Sequence, residues 1–99
     1  MGNLARMAQQ MQADMARVEQ ELQDLRVEGS AGGGVIRAVV TGKQELVSVT
    51  IDPGVVDPDD VEMLQDLVVA AVGDALANAK QVAEQKVARV TGGLRIPGL

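Results

Sequence analysis

The sequence predicts an α+β domain in the order α-β-β-β-α, with a three-stranded antiparallel sheet between two long helices. Three observations lead there: a heptad seam near the N-terminus, two-residue alternation broken by glycine turns in the middle, and a second stretch of helical periodicity after a run of aspartates. At 99 residues this is one domain, expected over residues 1–90, with a flexible tail over 91–99 that holds Gly92, Gly93, Pro97 and Gly98. Apolar residues make up 46% of the chain, yet Phe, Tyr and Trp are all absent, so the core has to be aliphatic and Met-built.

The first helix is expected from Asn3, a capping residue, to about Arg26. Leu4, Ala8, Met11, Met15, Val18, Leu22 and Leu25 recur at alternating spacings of four and three, the pattern of a helix packed along its length on another helix. Arg6, Gln9, Gln10, Ala13, Arg17 and Gln20 share the opposite, polar face. That face reads equally as a solvated back or as a surface that touches phosphates.

Val27 to Ala31 forms a strand, and Gly32, Gly33 and Gly34 then supply the positive φ angles of a tight reversal. In the second strand Ile36, Ala38 and Val40 line one face, and Gly42-Lys43 opens the next turn. In the third, Val47, Val49 and Ile51 alternate with Leu46, Ser48 and Thr50 before Asp52-Pro53 ends it. The glycine run has neither the spacing nor the following helix of a phosphate-binding loop. A three-stranded meander leaves edges exposed, and pairing with a second copy would cover one of them.

Asp57 reads as the cap of the second helix and Pro58 as its first residue, with Asp59, Asp60 and Glu62 placed on the positive end of the helix dipole. Capping therefore accounts for the acidic cluster, whose spacing lacks the ligand pattern of a calcium loop. From Asp59 to Val90, Val61, Leu64, Val68, Ala71, Ala75, Ala79 and Val82 form the main apolar stripe, and Val69, Val72, Leu76, Ala83, Val87 and Val90 form another beside it. So broad a surface suits contact with the sheet on one side and a partner subunit on the other. Gly73, inside the helix, costs about 1 kcal/mol relative to Ala, and close approach by a neighbouring backbone would compensate.

Several functions are disfavoured by composition. There is no Cys and no His, so the usual zinc ligands, a thiol nucleophile and an imidazole base are all missing, and neither an enzyme nor a metal or organic cofactor is expected. Without aromatics, stacking on single-stranded bases is disfavoured too. No apolar run reaches spanning length and the N-terminus enters a helical pattern at once, so a cytoplasmic protein without membrane contact is expected. The net charge of −5 argues against a nucleic-acid partner, but its distribution softens the objection. Residues 1–74 hold five cations and thirteen carboxylates, whereas residues 75–99 hold four cations (Lys80, Lys86, Arg89, Arg95) and only Glu84. If the helices pack antiparallel, Arg6 would join Lys86, Arg89 and Arg95 at one tip. The simpler alternative is that these cations solvate a helix end.

The segment EGSAGGGVIRAVVTGKQELVSVTIDPGVVDPDDVEMLQDLVVAAVGDAL (Glu28 to Leu76), with AQQMQ at Ala8 to Gln12 and TGGL at Thr91 to Leu94, resembles the YbaB/EbfC-type nucleoid-associated proteins of bacteria. The resemblance implies a symmetric homodimer with helical arms that binds double-stranded DNA with little sequence preference, organises the nucleoid and regulates access to DNA. On that basis Arg6, Gln9, Gln10, Arg17, Lys80, Lys86, Arg89 and Arg95 are the candidate DNA-contacting residues. Relatives tend to carry lysines on the first helix where this chain has Ala13, Asp14 and Ala16, which shifts weight to the later cations. The alternative reading is a protein-interaction adaptor of the recombination or replication machinery.

Overall fold

The computed structural model describes residues 2–91 and contains α1 (Gly2–Asp24), β1 (Arg26–Ala31), β2 (Ile36–Thr41), β3 (Leu46–Ile51), a 3-10 turn at Pro53–Val55 and α2 (Val61–Thr91). The strands form one antiparallel sheet in the order β1-β2-β3. Gly32, Gly33 and Gly34 take φ values of 63°, 77° and 99°, the left-handed region where a Cβ is costly, and this makes the β1–β2 turn possible. At the other hairpin a bulge changes the expected alternation. Val39 pairs with Ser48 but Val40 pairs with Leu46, so Leu46 lies on the same side of the sheet as Val40 and Val47 is the residue left over.

α2 lies across one face of the sheet. Ile36, Ala38 and Val40 are fully buried there against Ala71, Ala75 and Ala79. The alanine stripe is what the close approach demands: a Cβ added at Gly29 in β1 would lie 2.6 Å from the Ala75 Cα and 2.7 Å from the Ala71 carbonyl oxygen. The same approach closes the outer edge of β1. The Ser30 N–H donates to Asp74 Oδ2 (3.0 Å), and the Asn78 amide donates to the Glu28 carbonyl (3.1 Å). Asp74 and Asn78, one helical turn apart, thus satisfy the strand's outward backbone groups. No described residue does the same for β3, whose outer edge is open.

Because Asp74 and Asn78 mark the flank of α2 that faces β1, the opposite flank, carrying Val69, Val72 and Leu76, faces β3. An apolar strip remains uncovered there. Val69 is 71% exposed, and Leu46, Val47 and Ile51 are exposed on the strand.

The start of α2 corrects the sequence reading. Asp57 accepts from the Asp59 N–H (2.9 Å) and its carbonyl from the Asp60 N–H (3.0 Å), so Asp57-Pro58 makes a turn instead of a cap. Asp60 is the capping residue, accepting from the Met63 N–H at 3.2 Å, and the helix begins at Val61. Asp52 likewise accepts from the Gly54 N–H (2.9 Å). Within the described chain nothing lies within 4 Å of a Cβ built at Gly73, so no neighbouring backbone of the same chain approaches it. At the other end of the fold, α1 is helical from Gly2, so Asn3 sits inside its first turn and does not cap it.

Only the C-terminal end of the heptad seam is buried in the chain itself. Val18 and Leu22 are buried, Met11, Met15 and Leu25 are half-buried, and Leu4 is 70% exposed. The Gly42 N–H donates to the Leu22 carbonyl (2.8 Å), which docks the end of α1 on the β2–β3 turn. The rest of α1 projects as an arm, and the molecule measures 69 × 28 × 16 Å. The tail expected after Thr91 lies outside the described residues.

Candidate nucleic-acid interface

The outer face of α1 is built as expected but is largely neutralised. Gln10 donates to Asp14 (3.0 Å), Arg17 pairs with Asp14 (3.2 Å) and Glu21 (3.9 Å), and Gln20 donates to Asp24 (3.4 Å). Pairs three and four residues apart on an exposed helix are weak, so they leave Arg17 available at the expense of nearby carboxylates. Arg6 and Gln9 are exposed and free of such partners among the described residues.

The two helices do not bring Arg6 to the later cations. Lys86 Nζ pairs with Glu21 Oε2 at 3.3 Å, near the C-terminal end of α1. From Glu21 back to Arg6 the helix runs about 22 Å, while α2 continues about 8 Å from Lys86 to Thr91. The cations are therefore spread along the arm and not gathered at one tip. Lys80 points away from Lys86, by about 120° around α2, and Arg89 is exposed a turn beyond Lys86. Arg95 lies outside the described residues.

The acidic start of α2 is remote from these groups. Glu62 and Arg89 are separated by about 40 Å of helix. Among the described residues no group of three or more carboxylates could hold a metal ion.

Residues 1–94 match the model of the YbaB/EbfC DNA-binding family. The chain belongs to this family. Among its relatives, the nucleoid-associated protein Teth39_2199 of Thermoanaerobacter pseudethanolicus is 52% identical over 97 residues, covering 98% of this chain and 87% of the relative. A nucleoid-associated protein of Acetivibrio thermocellus is 53% identical over 98 residues, with the same coverage of both chains. One from Moorella thermoacetica is 50% identical over 101 residues and is covered over 97% of its length. The fold is similar to that of the uncharacterized protein HP0035 of Helicobacter pylori, with a TM-score of 0.67, 20% identity and 95% of each chain covered.

In this YbaB/EbfC family chain two cations outside the sequence candidates lack a carboxylate partner among the described residues, Arg26, which donates to the Gln23 and Leu25 carbonyls, and Lys43. Lys43 in the β2–β3 turn is exposed and, like Arg6, Lys80 and Arg89, has no carboxylate partner among the described residues. Its only sequence signal is a turn-forming Gly-Lys pair, which does not distinguish a binding lysine from a solvating one. Arg37, by contrast, pairs with Glu28 across the sheet at 3.7 Å. No described helix is long and apolar enough to cross a membrane.

Proposed function

We propose that this chain acts as a symmetric homodimer that binds double-stranded DNA with low sequence specificity, and that it contributes to nucleoid organisation and to regulation of access to DNA. Family membership supports DNA as the ligand, and the names of the relatives support the nucleoid as its place. The observation that carries the contact surface is the position of the unpaired cations. Arg6 and Arg89 are exposed without described carboxylate partners on the helices, far from the acidic start of α2. Cations on helix surfaces grip phosphates, and among the described candidate residues only Arg6, Gln9, Lys80 and Arg89 are both unengaged and able to read a base edge. Weak sequence preference follows. Dimerisation is supported by the open edge of β3 and the apolar strip beside it.

The test is fluorescence anisotropy of a labelled duplex titrated with the protein at about 50 and 200 mM salt, with Arg6→Ala/Arg89→Ala as the variant. Two or more phosphate contacts require affinity to fall on the order of tenfold or more across that range. The double variant is expected to bind more weakly and with a shallower salt dependence. Lys86 is left intact because its ion pair with Glu21 ties the helices together. No duplex binding at low salt, or binding indifferent to the two arginines, would remove this contact surface and favour docking on a protein of the recombination or replication machinery instead.

A further inference from the structure

We infer that Lys43 and Lys80 together form a second phosphate-binding site at the waist of the molecule, separate from the cations of the arm. The inference rests on the DNA-binding reading and adds a place of contact to it. The two lysines are 37 positions apart in sequence, and a side-chain hydrogen bond links the turn of one to the helix of the other. Gln44 Nε2 donates to the Leu76 carbonyl at 3.4 Å. In the helical ladder that carbonyl is also the acceptor for the Lys80 N–H, so the turn bearing Lys43 rests on α2 one helical turn before Lys80. Leu76 and Lys80 are four residues apart and share a flank of α2, which puts Lys80 on the side that the turn occupies.

The turn is also held in one shape. Thr41 is buried and its hydroxyl oxygen accepts from the Lys43 N–H (3.1 Å) and the Glu45 N–H (3.2 Å). Gln44 is the one non-glycine described residue with positive φ, at 65°. Left-handed backbone at a side-chain-bearing residue is strained, and such strain persists where the surroundings fix it. Here it is fixed by the Gln44 N–H donating to the Thr41 carbonyl (3.0 Å) and by the amide contact with α2. Docking of Gly42 on Leu22 completes a junction of α1, α2 and the hairpin, so Lys43 is presented from a rigid base.

Both lysines are exposed and neither is paired with a described carboxylate, although Glu45 and Glu84 are near in sequence. Free cations held on a rigid junction suit a phosphate backbone, which asks for charge and position and for no particular base. A duplex that lies along the arm from Arg6 would meet this pair further along its backbone.

The experiment compares the full chain with Lys43→Ala/Lys80→Ala and with Lys43→Arg/Lys80→Arg, titrating a labelled duplex over a range of salt. The alanine variant is expected to bind on the order of tenfold more weakly at low salt, and its plot of log affinity against log salt should be shallower by about 0.9 for each phosphate it no longer engages. The arginine variant should keep the wild-type slope. All three proteins should melt alike, because neither lysine side chain makes a hydrogen bond or ion pair with a described residue. Wild-type binding with an alanine variant of equal affinity and slope would overturn the waist site and leave the DNA-binding reading standing. Absence of wild-type binding at low salt would overturn both.

Discussion

At the scale of single residues, two glycines show what a sequence discloses about packing. Gly73 stands out in the sequence because a glycine inside a helix is costly, yet none of the described chain lies near it. Gly29 is inconspicuous in a strand, between Glu28 and Ser30, and is where the α2 backbone presses on the sheet. Periodicity exposes a residue that breaks its own element's preference, but not one whose constraint comes from an element distant in sequence. The two positions should therefore respond oppositely to one added methyl group. Gly29→Ala forces Ala71 and Ala75 outward and is expected to lose on the order of 3 kcal/mol, the upper end of overpacking. Gly73→Ala should gain about 0.5–1 kcal/mol from helix propensity. Urea denaturation of both variants checks this, and a loss at Gly73 would mean that a second subunit's backbone lies against it.

At the scale of elements, the order and type of every helix and strand were legible, because heptad spacing, alternation and glycine turns each agree with the fold. Their ends were less so. The run Asp57-Pro58-Asp59-Asp60 offers more than one capping aspartate, and nothing local in sequence tells a turn from a helix start. The backbone decides it by using Pro58 inside a turn closed by Asp57, which leaves Asp60 to accept from Met63. Asp60→Ala is accordingly expected to cost about 1 kcal/mol, within the range of a lost N-cap, and Asp57→Ala less. Thermal melting of the two variants side by side gives the order, and a larger loss at Asp57 would return the cap to it. The bulge at Val39–Val40 was hidden for a similar reason. Leu46 and Val47 are both apolar, so either could take the inward register, and the pairing with Val40 selects Leu46.

At the scale of the whole molecule, the relative placement of the helices was the least legible feature. Antiparallel packing was foreseeable, but its register is set by Leu22 on Gly42 and by Lys86 on Glu21, and these contacts leave Arg6 far along a free arm. The same architecture supports the proposed dimer. Ile36 and Val40 are the only large side chains fully buried among the described residues, a thin core for a chain without aromatics. α2 seals the β1 edge through Asp74 and Asn78, while β3 keeps its edge open beside Leu46, Val69 and Leu76. A small three-stranded sheet with one sealed and one open edge favours association through the open one. Light scattering should accordingly give wild-type protein twice the 10.3 kDa chain mass. Val69→Glu, which places a charge in the strip without disturbing the buried alanine stripe, should move the mass toward a single chain. It should also lower the melting temperature, because an assembly that binds only the folded state stabilises it by mass action. Wild-type melting should then rise with protein concentration while that of the variant stays constant. A wild-type chain that scatters as a monomer and melts at a concentration-independent temperature would exclude this strip as the subunit interface.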